Sequence, residues 1–213
     1  YNNGNLNEWN RYIMPLPDNK YMYIGTIHFG GAPSNRMLYG RIDPTGGIYE
    51  GANWIHFPGV NDNGYHGCIG GNNDRFVVGN YDDLPGNSGL LLNLDDDLAL
   101  NFNKRYSVSG YNNLIFKSIN PTTGGNFIIS GTLTNNGDLN SDILILCINS
   151  LGEVQWHKVY STSGEKSDLI YFGERSENGG GVFAGRIQNS IDVNDNDYLV
   201  FKINNLGDIL WSK

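Results

Sequence analysis

Short apolar runs of strand length alternate with turn-forming residues along the whole chain. Between residues 113 and 160 four such runs, at 114–119, 127–133, 143–148 and 154–160, are separated by breaks rich in Asn, Gly, Pro and Ser. Their β-branched and aromatic residues favour strands, and each run is too short for a typical helix. The pattern predicts a four-stranded antiparallel meander.

The same pattern recurs along the chain with a period of about 50 residues. Its clearest marker is a glycine in the second run of each unit, and the four are Gly25, Gly79, Gly131 and Gly185. A repeat of this length with four strands is typical of propeller blades. We therefore predict an all-β fold, a β-propeller of four four-stranded antiparallel blades in one domain, with repeats at approximately 8–60, 61–108, 109–162 and 163–213.

The last two repeats share a recognisable motif. Segments 148–156 and 203–211 both read Ile-Asn-x-Leu-Gly-x-x-x-Trp, and each follows a second strand that begins near a Gly-Gly pair. This pattern resembles the β-propeller repeats of large secreted bacterial surface proteins. The resemblance implies a scaffold and no particular ligand, because one fold carries many functions.

The strands on which the first repeat begins and the last repeat ends determine how the propeller can close. The chain begins on a first strand and ends on a fourth, so no blade is shared between the two ends. Four blades then close by packing alone, or they continue into further blades or another chain. In the second case we expect exposed apolar faces at 9–16 and 200–213, and such faces drive association.

Composition excludes several classes of partner. The net charge is −8 and the chain has no run of Lys or Arg, which argues against a nucleic-acid groove. The apolar runs are far shorter than a bilayer requires, so we expect no membrane insertion. Only 17% of residues are charged. With the family resemblance, this indicates a secreted or cell-surface protein, cut from a precursor or excised from a longer chain.

The two cysteines, Cys68 and Cys147, fall in different repeats and on different strands of the repeat. Free cysteines usually behave as small core hydrophobes. We expect two buried free thiols.

Two loops between second and third strands resemble calcium-binding loops. Asp and Asn alternate in both, and oxygen-bearing side chains at alternate positions can converge on one hard cation. Glycine is missing at the sixth position of the loop in repeat four, and turns also favour these residues. No cofactor is required on this view, but calcium is a candidate. The candidate ligands are Asp192, Asn194 and Asn196 in one loop and Asn136, Asp138 and Asn140 in the other.

A dense aromatic segment joins the first two repeats. Trp54, His56, Tyr65 and His66 lie within it, and exposed aromatic rings can stack on sugars. These four residues are the predicted ligand-binding surface, with glycans as the candidate ligand.

Catalytic motifs are lacking, so no catalytic residue is predicted. Carboxylates on first strands are sparse and comprise Asp62, Asp168 and Glu174, and there is no nucleophile elbow or metal cluster. We expect a non-catalytic extracellular surface or assembly module that binds other protein chains or copies of itself. The alternatives are a lectin-like propeller and a carbohydrate-active enzyme on a propeller scaffold.

Overall fold

The computed structural model describes residues 7–30, 35–55, 57, 60–83, 86–134, 140–161, 167–177, 179–188 and 196–213. Strands account for nearly all of the regular structure there. They are β1 (Asn7–Pro15), β2 (Tyr21–His28), β3 (Asn35–Ile42), β4 (Ile48–Ile55), β5 (Asn61–Ile69), β6 (Arg75–Asp83), β7 (Gly86–Leu94), β8 (Leu100–Tyr106), β9 (Asn113–Pro121), β10 (Phe127–Thr134), β11 (Ser141–Ile148), β12 (Val154–Tyr160), β13 (Asp168–Arg175), β14 (Gly181–Gln188), β15 (Asn196–Ile203) and β16 (Ile209–Ser212).

Consecutive strands pair antiparallel in groups of four, and each group is called a blade below, numbered one to four in chain order. Blades two and three are joined into one sheet only by a parallel bridge between Asn87 and Asn113. No helix occurs among the described residues, and none therefore is long and apolar enough to span a membrane. The all-β prediction is confirmed.

A bulge in the first strand of each blade, called the inner strand below, explains the periodic glycine. In blade two the register shifts between Gly64 and His66, which leaves Tyr65 as an extra residue. The shift brings the Asn63 carbonyl oxygen over Gly79, where an added Cβ would lie only 1.8 Å from it. The same approach occurs at Gly25 and Gly185, both at 2.1 Å, and less closely at Gly131, at 2.9 Å. Glycine is thus required by backbone packing rather than by a turn.

One acceptor side chain organises the turn between the third and fourth strands of every blade. In blade three the Asn149 side-chain oxygen accepts hydrogen bonds from the amides of Leu151 and Glu153, at 3.0 and 2.9 Å. Asp43, Asp95 and Asn204 make the corresponding pair of bonds in the other blades. Asp and Asn favour such turns because their oxygen satisfies backbone donors two residues on.

In blades two and three, a tyrosine of the fourth strand, called the outer strand below, forms a hydrogen bond with this turn in the next blade. The Tyr106 hydroxyl donates to the Gly152 carbonyl at 2.7 Å, and the Tyr160 hydroxyl donates likewise to the Gly207 carbonyl. Trp156 also packs on Gly207, whereas its counterpart in blade four, Trp211, is 42% exposed.

Removing one of these bonds should weaken the fold measurably. We expect Tyr106→Phe to lower the free energy of unfolding by about 1 kcal/mol, because the Gly152 carbonyl loses its partner while packing is retained. Urea denaturation measures the change. Tyr198→Phe is the matched control, since Tyr198 is 91% exposed and should change stability little. Equal effects of the two substitutions would contradict the assigned role.

The hydrophobic core consists of the interfaces between consecutive blades. Separate clusters join blades one and two, two and three, and three and four. Both cysteines are buried and free, as predicted. Among the described residues no such cluster joins blade four to blade one. Large apolar side chains are exposed on those two blades, including Trp9, Ile13, Leu210 and Trp211. Whether they drive association stays a prediction.

Candidate active site

The inner strands of all four blades meet at His66, and the line along them at this point is called the axis below. The rings of Tyr12 and His66 are 3.8 Å apart, and those of His66 and Phe172 are 5.4 Å apart. The remaining inner strand, β9, contacts His66 through the Ile119 amide. Tyr12, His66 and Phe172 each directly follow the bulge of their own strand, so they occupy equivalent positions.

His66 closes the axis at this level. It is 2% exposed, and its Nδ1 accepts a hydrogen bond from the Ile119 amide of blade three at 3.3 Å. Burial lowers the pKa of His66 to about 4, so the ring is neutral, and accepting at Nδ1 places its proton on Nε2. With Tyr12 and Phe172, His66 forms a plug contributed by three blades.

The bulge residues form a second layer, the axial ring, made of Arg11, Tyr65, Lys117 and Tyr171. The Arg11 guanidinium carbon lies 4.6 Å from the centre of the Tyr65 ring, and the Lys117 ammonium lies 4.5 Å from it. Arg11 is exposed, Lys117 is half-buried, and Tyr171 is 56% exposed. Two cations from different blades therefore share one aromatic ring.

Carboxylates form a third layer near the start of the inner strands. Glu8, Asp62 and Asp168 each pair with the residue two positions beyond the periodic glycine of their blade, and Leu114 occupies this position in blade three. These three residues therefore occupy equivalent register positions on the inner strands of three blades. Glu8 is half-buried, whereas Asp62 and Asp168 are buried.

Asp62 has the most unusual environment of the three. It is 0% exposed, and neither carboxyl oxygen makes a hydrogen bond of normal geometry with the described residues. Burial raises the pKa of Asp62 to about 7, and the nearby Asp82 adds to the rise. The Phe57 amide and the Arg36 charge oppose this rise without cancelling it. Asp62 is thus a carboxyl group that holds or releases a proton near neutral pH.

This shifted pKa predicts a pH-dependent difference in stability. Asp62 binds its proton more tightly when folded, since its pKa rises from 3.8 to about 7. Its contribution is fully present below pH 4 and is lost as the pH rises to about 7. Asp62→Asn removes that loss, so the stability of the variant relative to wild type should rise by roughly 2–4 kcal/mol between pH 4 and 8.

Denaturant titrations at several pH values measure this difference. The opposite dependence expected from His66, whose pKa is lowered, cancels because both proteins carry that residue. A difference that does not change between pH 4 and 8 would contradict the raised pKa of Asp62.

Asp168 lines a cavity between blades three and four. The cavity has a volume of about 250 Å³, and its other walls are mainly apolar, from Ile143, Tyr160, Leu199 and Phe201. Asp168 itself is 2% exposed.

The predicted ligand-binding residues do not form one surface. Trp54 is 49% exposed and its ring lies 5.6 Å from that of Phe29, whereas Tyr65 belongs to the axial ring and His66 to the plug. His56 lies outside the described residues.

The predicted calcium ligands fall mostly on undescribed residues. Asp192, Asn194, Asn136 and Asp138 lie outside the described ranges, while Asn140 and Asn196 are half-buried at the starts of third strands. The described residues contain no group of three His, Cys, Asp or Glu side chains arranged to hold a metal. Calcium binding stays a prediction.

Glu8, Arg11 and Lys117 are not among the residues predicted from the sequence. A signal for them exists, because counting back from each periodic glycine identifies equivalent positions on the four first strands. What the pattern does not show is the bulge, which determines which side chains share a level.

No protein-family model matches the chain, and no curated protein sequence is significantly similar to it. Several solved structures share its fold. A GH43 endo-arabinanase from Bacillus licheniformis superposes with a TM-score of 0.58 at 10% identity, covering 96% of this chain and 77% of that one. An endo-1,4-β-xylanase from Bacteroides thetaiotaomicron gives 0.56 at 10% identity, with 95% and 74% covered. An arabinanase from Bacillus subtilis gives 0.53 at 10%, with 90% and 72% covered.

These similarities correct the functional expectation drawn from the repeats. The described chain shares its fold with enzymes that are named for cleaving polysaccharides. The interpretation as a non-catalytic surface or assembly module is therefore wrong, because recurrent packing residues dominate a propeller sequence and conceal site residues that occur once per blade. Of the alternatives, a carbohydrate-active enzyme on a propeller scaffold has the better support.

Proposed function

We propose that this protein hydrolyses glycosidic bonds of a polysaccharide, on a propeller scaffold whose four blades surround the axis described above. The observation that carries the proposal is the layer of Glu8, Asp62 and Asp168, three carboxyl groups at equal register on three inner strands. Glycosidases require a pair of carboxyl groups on either side of the scissile bond. The polysaccharide-cleaving enzymes of the same fold support this reading.

The two required roles differ in protonation. One carboxyl group must carry a proton to donate to the leaving oxygen, and its pKa must lie near the working pH. Asp62 meets this requirement, since burial raises its pKa to about 7. We assign it as the general acid.

Glu8 is the partner carboxylate. It occupies on β1 the register position that Asp62 occupies on β5, and it is half-buried rather than fully enclosed. Its carboxylate can accept the proton of a water molecule that attacks the anomeric carbon as Asp62 protonates the leaving oxygen. Asp168 occupies the equivalent position in blade four, where it lines the cavity against blade three.

We place the sugar at the end at which the inner strands begin, because the carboxylate layer lies there and the ring contacts of the plug lie further along the same strands. Asp62 is 0% exposed, so contact with the sugar requires an opening between blades one and two, where Arg36 and Phe57 lie near its carboxyl group. A polymeric substrate also fits a secreted protein, and we propose that location.

A screen of polysaccharides tests the proposal. The purified chain is incubated with arabinan, xylan and other neutral and acidic plant polymers, and newly formed reducing ends are measured over time. Release from at least one polymer, abolished by Asp62→Asn and retained by Asp97→Asn, is the expected result. Asp97 is an exposed carboxylate in the turn of blade two and serves as the matched control. No release from any polymer would contradict the proposed function.

A further inference from the structure

The axial ring concentrates positive charge in an acidic protein. The chain has a net charge of −8, yet Arg11 and Lys117 meet on the single ring of Tyr65. Among the described residues no carboxylate forms an ion pair with either one. Two like charges over one aromatic ring repel one another, and an anion bound beside either of them relieves that repulsion.

The pKa of Lys117 is consistent with this repulsion between charges. Burial lowers the pKa of Lys117, and the neighbouring Arg11 charge lowers it further. An anion bound beside Lys117 would favour the charged form of this side chain. The inner strands thus hold a half-buried lysine where its charge is costly without a ligand.

The geometry of the ring fits a sugar acid. A guanidinium group binds a carboxylate through two parallel hydrogen bonds, and a lysine adds a compact point charge. Tyr171, 56% exposed, is the equivalent bulge residue of β13 and supplies an aromatic face on which the apolar side of a sugar ring can pack. Burial raises the pKa of Tyr65, so its hydroxyl stays neutral and adds no negative charge.

The axial ring is within reach of the carboxylate layer. Arg11 lies three positions beyond Glu8 along β1, which corresponds to roughly 10 Å of strand. An oligosaccharide can span this distance. One saccharide molecule can therefore place a charged sugar unit in the axial ring and a glycosidic bond at Glu8 and Asp62.

We infer that the axial ring binds the carboxylate of a uronic acid residue, and that the saccharide recognised by this site is acidic. The inference rests on the proposed function, since it names the substrate class of the same site. It goes further by assigning Arg11 and Lys117 as residues that determine specificity and contact the ligand without taking part in bond cleavage.

Calorimetric titration of the full chain with a trigalacturonate and with the neutral galactose trisaccharide tests this inference. The acidic trisaccharide should bind at least tenfold more tightly, and this preference should shrink as salt is raised. Arg11→Gln and Lys117→Met should each weaken trigalacturonate binding at least tenfold and leave the neutral trisaccharide unaffected. Lys104→Met is the matched control, because Lys104 also lies over an aromatic ring, Phe102, but on the outer strand β8.

Equal affinity for the two trisaccharides, absence of binding, or variants that bind as wild type does would overturn the inference. Tyr171→Ala is a further test that avoids any folding defect, since the side chain is exposed, and it should weaken binding of trigalacturonate. Failure of the inference and failure of the proposed function are distinguishable. Hydrolysis of a neutral polymer at a rate unchanged by Arg11→Gln would overturn the inference alone, whereas uronate binding without hydrolysis of any polymer would overturn the proposed function alone.

Discussion

Asp62→Asn should lower the rate of sugar release by about 10²–10⁴-fold, the usual contribution of a general acid. The substitution preserves the shape of the side chain and removes the proton that the leaving oxygen receives. It should also leave the chain folded, and above pH 7 the variant should be more stable than wild type, because burial disfavours the charged form of Asp62. Loss of activity in a more stable protein separates a catalytic role from a structural one.

The pH dependence of the wild-type rate provides a second measurement of the same prediction. The pKa of Asp62 is about 7, so the rate should fall as the pH rises above that value and the proton is lost. Asp97→Asn should keep both the rate and its pH dependence. A wild-type rate that stays level up to pH 9, or a variant at Asp62 that retains activity, would contradict the assignment.

Gly79→Ala should cause a large loss of stability, about 3 kcal/mol or more in the free energy of unfolding. The added Cβ would lie 1.8 Å from the Asn63 carbonyl oxygen, and both groups belong to the backbone of paired strands. Neither can move without breaking the bulge that holds Tyr65 in the axial ring. The variant should therefore also lose saccharide binding.

A graded series of glycine substitutions checks the cause. Gly131→Ala should cost less, since its Cβ would lie 2.9 Å from the Ile115 carbonyl oxygen. Gly124→Ala, where an added Cβ meets nothing within 4 Å, should have the smallest effect and is the matched control. Urea denaturation of the three variants should rank them in this order, and equal losses at all three positions would show that close approach is not the cause.

The fold could be predicted from the sequence to a large extent because its signals are local and repeated. Strand-length apolar runs, turn residues such as Asn149 and Asn204, and the periodic glycine each reflect interactions within one blade or with its neighbour. The buried thiols of Cys68 and Cys147 follow from apolar context alone. The strand-length runs, the turn residues and the periodic glycine recur four times, so each repeat supports the interpretation of the others.

The candidate site could not be predicted in the same way because it depends on long-range register. Glu8, Asp62 and Asp168 come from three blades and share no motif, and their equivalence is seen only in how each inner strand pairs with the second strand of its blade. Tyr65 and His66 were identified as ligand-binding residues from their aromatic character. They are adjacent in sequence, yet one belongs to the axial ring and the other to the buried plug. A bulge at Tyr65 separates their environments, and nothing in the local sequence reveals it.

The most direct test of the proposed site compares Glu8→Gln, Asp62→Asn and the double variant in one assay of sugar release. If the two carboxyl groups act on the same bond, each single substitution should remove nearly all activity, and the double variant should lose little more than the worse of the two. Folded fractions are matched beforehand by circular dichroism, with Asp97→Asn as the reference. Losses that multiply in the double variant, or a Glu8→Gln variant as active as wild type, would contradict a shared hydrolytic site.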